Sequence, residues 1–169
     1  MSASYPIVVT ALFGSGDDGW LQQMRRDHYP PGRNRVPAHL TLFRQLPPSV
    51  ERELSRRLAV YAATPPPRAM LAGVIDLGEG TALRVESEEL EDIRGDLAEA
   101  LHGLLTPQDM AHWRPHVTVQ NKVEPRVARR LQQQLSATLR PRPLEIRALA
   151  TWRYVGGPWE KMRDFSFRG

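Results

Sequence analysis

Residues 37–42 read Pro37-Ala38-His39-Leu40-Thr41-Leu42, and residues 114–119 read Arg114-Pro115-His116-Val117-Thr118-Val119. Each stretch holds a His and a Thr two residues apart inside an apolar run. On a β-strand, residues i and i+2 face the same side. Each copy therefore presents an imidazole and a hydroxyl to one surface and anchors apolar side chains on the other. Two such tetrapeptides should arise by chance in well under about 1% of chains this long, so the pair reads as a site.

Sliding the chain by 77 positions carries His39 onto His116 and Thr41 onto Thr118. The same shift carries Pro48 onto Pro125, Val50 onto Val127, Leu54 onto Leu131 and Leu58 onto Leu135. This is the signature of an internal strand–helix repeat, over about 35–62 and 112–139. Amphipathic helices match one another easily, so the His and Thr pairs carry the argument.

Around the two motifs the patterning alternates strand and helix. Tyr5 to Phe13 reads as a strand, and Asp17 or Asp18 as the cap of a helix carrying Trp20, Leu21 and Met24. Val36 to Leu46 reads as the first motif strand, followed by a helix opened at Pro47-Pro48-Ser49. Ala69 to Leu77 and Thr81 to Glu86 form a hairpin pattern around Gly78-Glu79-Gly80. Ser87 caps a third helix with Leu90, Ile93, Leu97 and Leu104 on one face, and Glu124-Pro125 opens a fourth with Val127, Leu131, Leu135 and Leu139. Leu144 to Tyr154 and Lys161 to Phe167 read as closing strands.

The bulk composition narrows the function classes. The chain has 169 residues, 41% of them hydrophobic and 25% charged, which suits one globular domain with a real core. No apolar run approaches the roughly 20 residues of a membrane-spanning helix. The N-terminal apolar run lacks a basic leader, so a signal peptide is not expected. Cys is absent, which excludes disulfides, thiolate metal sites and Cys nucleophiles and fits a cytoplasmic setting. The net charge of +4 suits a polyanionic partner such as RNA. The basic residues are scattered, however, and equally suit a solvated surface.

The residue types point to acid–base chemistry on a phosphodiester. Only His has an unperturbed pKa, about 6.5, that lets both protonation forms coexist near neutrality. Cleaving the ester requires one group to take a proton from the nucleophile and another to give one to the leaving oxygen. Two His divide these roles without a metal, and Thr hydroxyls can donate hydrogen bonds to non-bridging phosphate oxygens.

On these residues the chain resembles the two-histidine (2H) phosphoesterase superfamily, and within it the 2′-5′ RNA ligase-like cyclic phosphodiesterases. The resemblance implies an α/β (α+β) fold over residues 1–169, with two pseudo-symmetric lobes of antiparallel sheet flanked by helices and an active-site groove between them. It implies hydrolysis of 2′,3′-cyclic phosphates on RNA ends or nucleotides, with reversible 2′-5′ ligation in some members. His39 and His116 would be catalytic, and Thr41 and Thr118 would bind phosphate. Many relatives carry an Arg shortly after the second motif; here the stretch is Gln120-Asn121-Lys122. Strict alternation puts Lys122 on the Thr118 face as a substitute phosphate ligand. It also puts Phe43 on the face of Thr41, where it could stack on a base, with Tyr154 and Trp152 as weaker candidates that equally suit the core. No cofactor, metal or protein partner is implied, and a monomer is expected. A non-catalytic RNA- or nucleotide-binding module and a phosphodiesterase for a small cyclic nucleotide, such as an ADP-ribose cyclic phosphate, are the alternatives.

Two further patterns are decoys. Gly14-Ser15-Gly16-Asp17-Asp18-Gly19 matches a dinucleotide-binding fingerprint, but two acids would face the pyrophosphate and no acid stands about 20 positions on. It reads instead as a flexible turn with an Asp cap. His112 and His116 have the spacing of helical metal ligands, but Pro115 between them breaks a helix.

Overall fold

The computed structural model of the chain describes residues 5–168. Seven strands form: β1 (Ile7–Phe13), β2 (Leu40–Leu46), β3 (Arg68–Asp76), β4 (Thr81–Glu86), β5 (His116–Gln120), β6 (Arg142–Arg153) and β7 (Glu160–Ser166). Helices α1 (Ser15–His28), α2 (Glu51–Ala62), α3 (Glu88–Ala100), α4 (Pro107–Met110) and α5 (Pro125–Thr138) flank them. Every pairing is antiparallel, in the order β2-β1-β6-β3-β4-β5, with β7 also on β6.

The long strand β6 joins two half-sheets. Residues 142–145 pair with β3, and residues 146–153 pair with β1. The two motif strands thus fall at opposite ends of the strand order, and both lie on open edges. All seven residues of β1 are buried, which explains why only Thr10 interrupts its apolar run. One continuous core takes in Leu40, Leu42 and Phe43 of β2 with Val117 and Val119 of β5, so the halves fold as one packed body.

Several element ends differ from the sequence pattern. Helix α1 begins at Ser15, and Asp17 does not cap it. Instead the Asp17 carboxylate accepts the Glu145 amide (2.8 Å) and pairs with Arg142 (2.8 Å), tying the glycine-rich turn to β6. This turn is therefore an anchored one. Helix α3 is capped by Ser87, whose Oγ accepts the Leu90 amide, but it stops at Ala100 and leaves Leu104 exposed. Helix α5 buries Ala128, Leu131 and Leu135, so Val127 lies off the buried stripe. The single turn α4 has no periodicity to betray it.

Both motif strands carry an extra residue just past their Thr. Val9 and Thr10 of β1 pair with Phe43 and Thr41, leaving Leu42 unmatched. Thr81 and Ala82 of β4 pair with Gln120 and Thr118, leaving Val119 unmatched. Such a bulge flips the inside–outside alternation. After it, Leu42 and Phe43 are both buried, as are Val119 and Gln120. A second irregularity in β2 leaves Arg44 and Gln45 both exposed.

Candidate active site

Each motif His is hooked to its own backbone in the same way. His39 Nδ1 donates to the Pro37 carbonyl at 2.7 Å, and His116 Nδ1 donates to the Arg114 carbonyl at 2.6 Å. With Nδ1–H engaged, the neutral ring holds its lone pair at Nε2. Both imidazoles line one groove of about 530 Å³, together with Thr41 and Thr118. The structure thus brings the four motif residues into a common concavity.

Edge strands expose unpaired carbonyls, and here side chains from elsewhere satisfy them. Trp113 Nε1 donates to the Thr41 carbonyl (3.0 Å) and Arg94 Nε to the Leu42 carbonyl (3.1 Å). Arg25 Nη1, from α1, donates to the Thr118 carbonyl (2.7 Å). Arg25 and Arg94 are both buried, so these braces are rigid. The stretch of β2 just past the Leu42 bulge, at the second irregularity, is pinned separately. The buried Asp109 carboxylate accepts the Arg44 amide at 2.9 and 3.1 Å and the Gln45 amide at 2.9 Å.

The groove is cationic and aromatic. Arg25, Arg33 and Arg44 line it, and among the described residues no Asp or Glu does. Trp159 tilts over His39 with ring centroids 4.7 Å apart, itself resting against Trp152 at 6.0 Å. Burial pushes the His39 pKa down to about 4, opposed by the Pro37 hydrogen bond and reinforced by the charges of Arg25, His116 and Arg44. A larger cavity, about 1130 Å³, takes in Glu86, Glu88, Glu89, Glu91 and Glu145, along with His112. Asp17 adds a sixth acid, against Arg68, Arg84 and Arg114, so the wall is net acidic and disfavours a phosphate, and size does not mark the site. His112 and His116 thus face different cavities, and among the described residues no three His, Asp or Glu side chains cluster as metal ligands.

Two expected site residues are corrected. Phe43 is fully buried, with the Arg94 guanidinium 4.3 Å over its ring, and cannot stack on a base. The Leu42 bulge turns it inward. Lys122 does not line the groove: the Val119 bulge puts Asn121 there instead, and Lys122 sits in a left-handed turn with φ 61°. Tyr154 does line the groove, whereas Trp152 is buried and donates its Nε1 to Thr10 Oγ1 (2.8 Å). Sequence reasoning missed Arg25, Arg44, Asn121 and Trp159. For Arg44 and Asn121 a signal existed, since both occupy one position of the 77-residue register.

The fold has known counterparts. The family model of the 2′-5′ RNA ligase superfamily matches residues 14–158. Among solved structures, TT0787 of Thermus thermophilus superposes with a TM-score of 0.64 at 16% identity, covering 97% of this chain and 98% of its own. E. coli LigT in its apo form gives a TM-score of 0.62 at 14% identity, covering 99% and 100%. LigT complexed with 3′-AMP gives 0.60 at 15% identity, again covering 99% and 100%. Among curated proteins none matches. These structural likenesses speak for the fold. With the matched span reaching from the turn after β1 to the loop beyond β6, the chain belongs to the 2′-5′ RNA ligase superfamily.

Proposed function

We propose that the chain is a phosphoesterase that opens 2′,3′-cyclic phosphates to 2′-phosphates, using His39 and His116 as a metal-independent acid–base pair. The observation that carries this reading is the matched hook: both rings are fixed through Nδ1, and both border one groove. One Nε2 takes a proton from water as its oxygen attacks phosphorus. The P–O3′ bond breaks, and the other imidazolium protonates the departing 3′ oxygen. The Thr41 and Thr118 hydroxyls donate to the non-bridging oxygens, where charge develops. A bound phosphate anion opposes the fields of Arg25 and Arg44 and raises His39 toward a titrating range. With a 5′-hydroxyl in place of water as the attacking group, the same step forms a 2′-5′ linkage, and its reversal opens one.

The superfamily, together with LigT complexes holding 3′-AMP and NADP+, supports a nucleotide-sized substrate. The test is turnover of 2′,3′-cyclic nucleotides in EDTA by wild type, His39→Ala and His116→Ala. Loss in both variants is expected; unchanged rates in both would overturn the proposal. Tight, salt-dependent RNA binding with no turnover would favour the binding-module alternative.

A further inference from the structure

We infer that Arg44 forms a second phosphate subsite, one nucleotide away from the reacting phosphate, so that the groove takes an RNA end in preference to a lone nucleotide. This rests on the phosphoesterase reading above and names the substrate class of that site.

The 77-residue register holds through the bulges. Leu42 and Val119 are the unmatched residues, Phe43 and Gln120 turn inward, and Arg44 and Asn121 emerge into the groove. One position thus carries a cation on the β2 side and a neutral amide on the β5 side. The cation is also free. Among the described residues, the Arg44 guanidinium makes no ion pair with a carboxylate. Arg25 by contrast is committed to Asn34 and the Thr118 carbonyl.

Distance separates Arg44 from the chemistry. The bulges shorten the path, since Thr41 and Leu46 pair with Thr10 and Ile7, and at about 3.3 Å per partner residue the Arg44 backbone lies on the order of 6 Å beyond that of Thr41, about the reach of one further nucleotide. The Arg44 charge acts on His39 through the field. The reacting phosphate already has the Thr41 and Thr118 hydroxyls. A guanidinium farther along the same groove therefore meets the next phosphate of a strand. Its placement is built: Asp109 holds the Arg44 and Gln45 amides, and Arg94 Nη2 donates to the Asp109 carbonyl at 2.5 Å. Asp109 is thus a positioning residue for Arg44.

The experiment is binding, read by fluorescence anisotropy, of a labelled hexaribonucleotide ending in a 3′-phosphate, with uridine 3′-monophosphate as competitor. Arg44→Gln should weaken the hexamer about tenfold and the mononucleotide less than twofold. It should also lower the slope of log affinity against log salt by about 0.7, the share of one single-strand phosphate. Arg56→Gln, on the remote helix α2, should leave the slope alone. Asp109→Asn should act in the same direction as Arg44→Gln and add little to it in the double variant. Equal weakening of both ligands, or an unchanged salt slope, would overturn the subsite. Should Asp109→Asn unfold, Arg44→Gln alone decides the matter. Failure of the catalytic reading looks different: no turnover by wild type, with Arg44-dependent hexamer binding intact.

Discussion

The two His-x-Thr copies agree in their backbones and differ in what surrounds them. In both, Nδ1 holds the carbonyl two residues back, a bulge follows the Thr, and a buried Arg braces the open edge. The surroundings diverge. His39 lies under Trp159, and its strand sends Arg44 into the groove. The second copy offers Asn121 at the matching place. Even the stretches past the bulges are held differently, one by the Asp109 carboxylate and one by the Thr81 hydroxyl donating to Gln120 Oε1 at 2.9 Å. A phosphodiester has like non-bridging oxygens but unlike attacking and leaving sides. Symmetry in the Thr pair suits the former, and asymmetry around the two His suits the latter.

The largest expected effect tests the shared part. His39→Ala and His116→Ala should each lower kcat/KM on a 2′,3′-cyclic nucleotide by about 10²–10⁴-fold, the usual worth of a positioned acid or base. The double variant should be little worse than either single one, because the two act as a unit. A large loss in one and none in the other would break the pairing.

The different pins past the two bulges give the next effect. Asp109→Ala strands two amides and leaves the buried Arg94 without its neighbouring carboxylate, which should cost about 3 kcal/mol in urea unfolding. Thr81→Val removes a hydroxyl that donates to Gln120 Oε1 and accepts from Gln132 Nε2, all neutral groups, and should cost about 1.5 kcal/mol. Equal costs would mean that the pins are equivalent after all. Between them falls Gly80→Ala. A Cβ there would collide with the Gln120 carbonyl oxygen and lie 2.7 Å from the Asn121 Cα, both backbone. A loss of about 2 kcal/mol is expected, with Asn121 displaced from the groove.

Periodicity made most of this fold legible. Strands, most of each helix face, the Ser87 cap and the hairpin at Gly78 were readable because each obeys a local rule; Leu104 and Val127 fell outside the buried faces. The motif residues were readable because they recur. What escaped were departures from alternation: a bulge adds one residue, and every side chain beyond it changes face. Phe43 and Lys122 were misplaced for this one reason, and Arg44 was missed for it. Trp159 escaped differently. It sits 120 residues from His39, outside both repeats, and no local pattern joins it to an imidazole.

Trp159 therefore offers the finest test of the asymmetry. It covers one His of the pair, and burial is the chief cause holding His39 down at about 4. Below about 6.5 the unfolded chain gains a proton at His39 that the folded chain refuses until about 4. Stability should therefore fall as pH drops through that window, and His39→Asn should remove this part of the fall. Trp159→Ala lets water reach the ring, so the His39 pKa should rise by about one pH unit, worth about 1.4 kcal/mol, and the window should narrow from its lower end. NMR titration of the two imidazoles reads this directly. A His39 that titrates alike with and without Trp159 would place the cause in Arg25 and Arg44, and the two copies would then differ by charge alone.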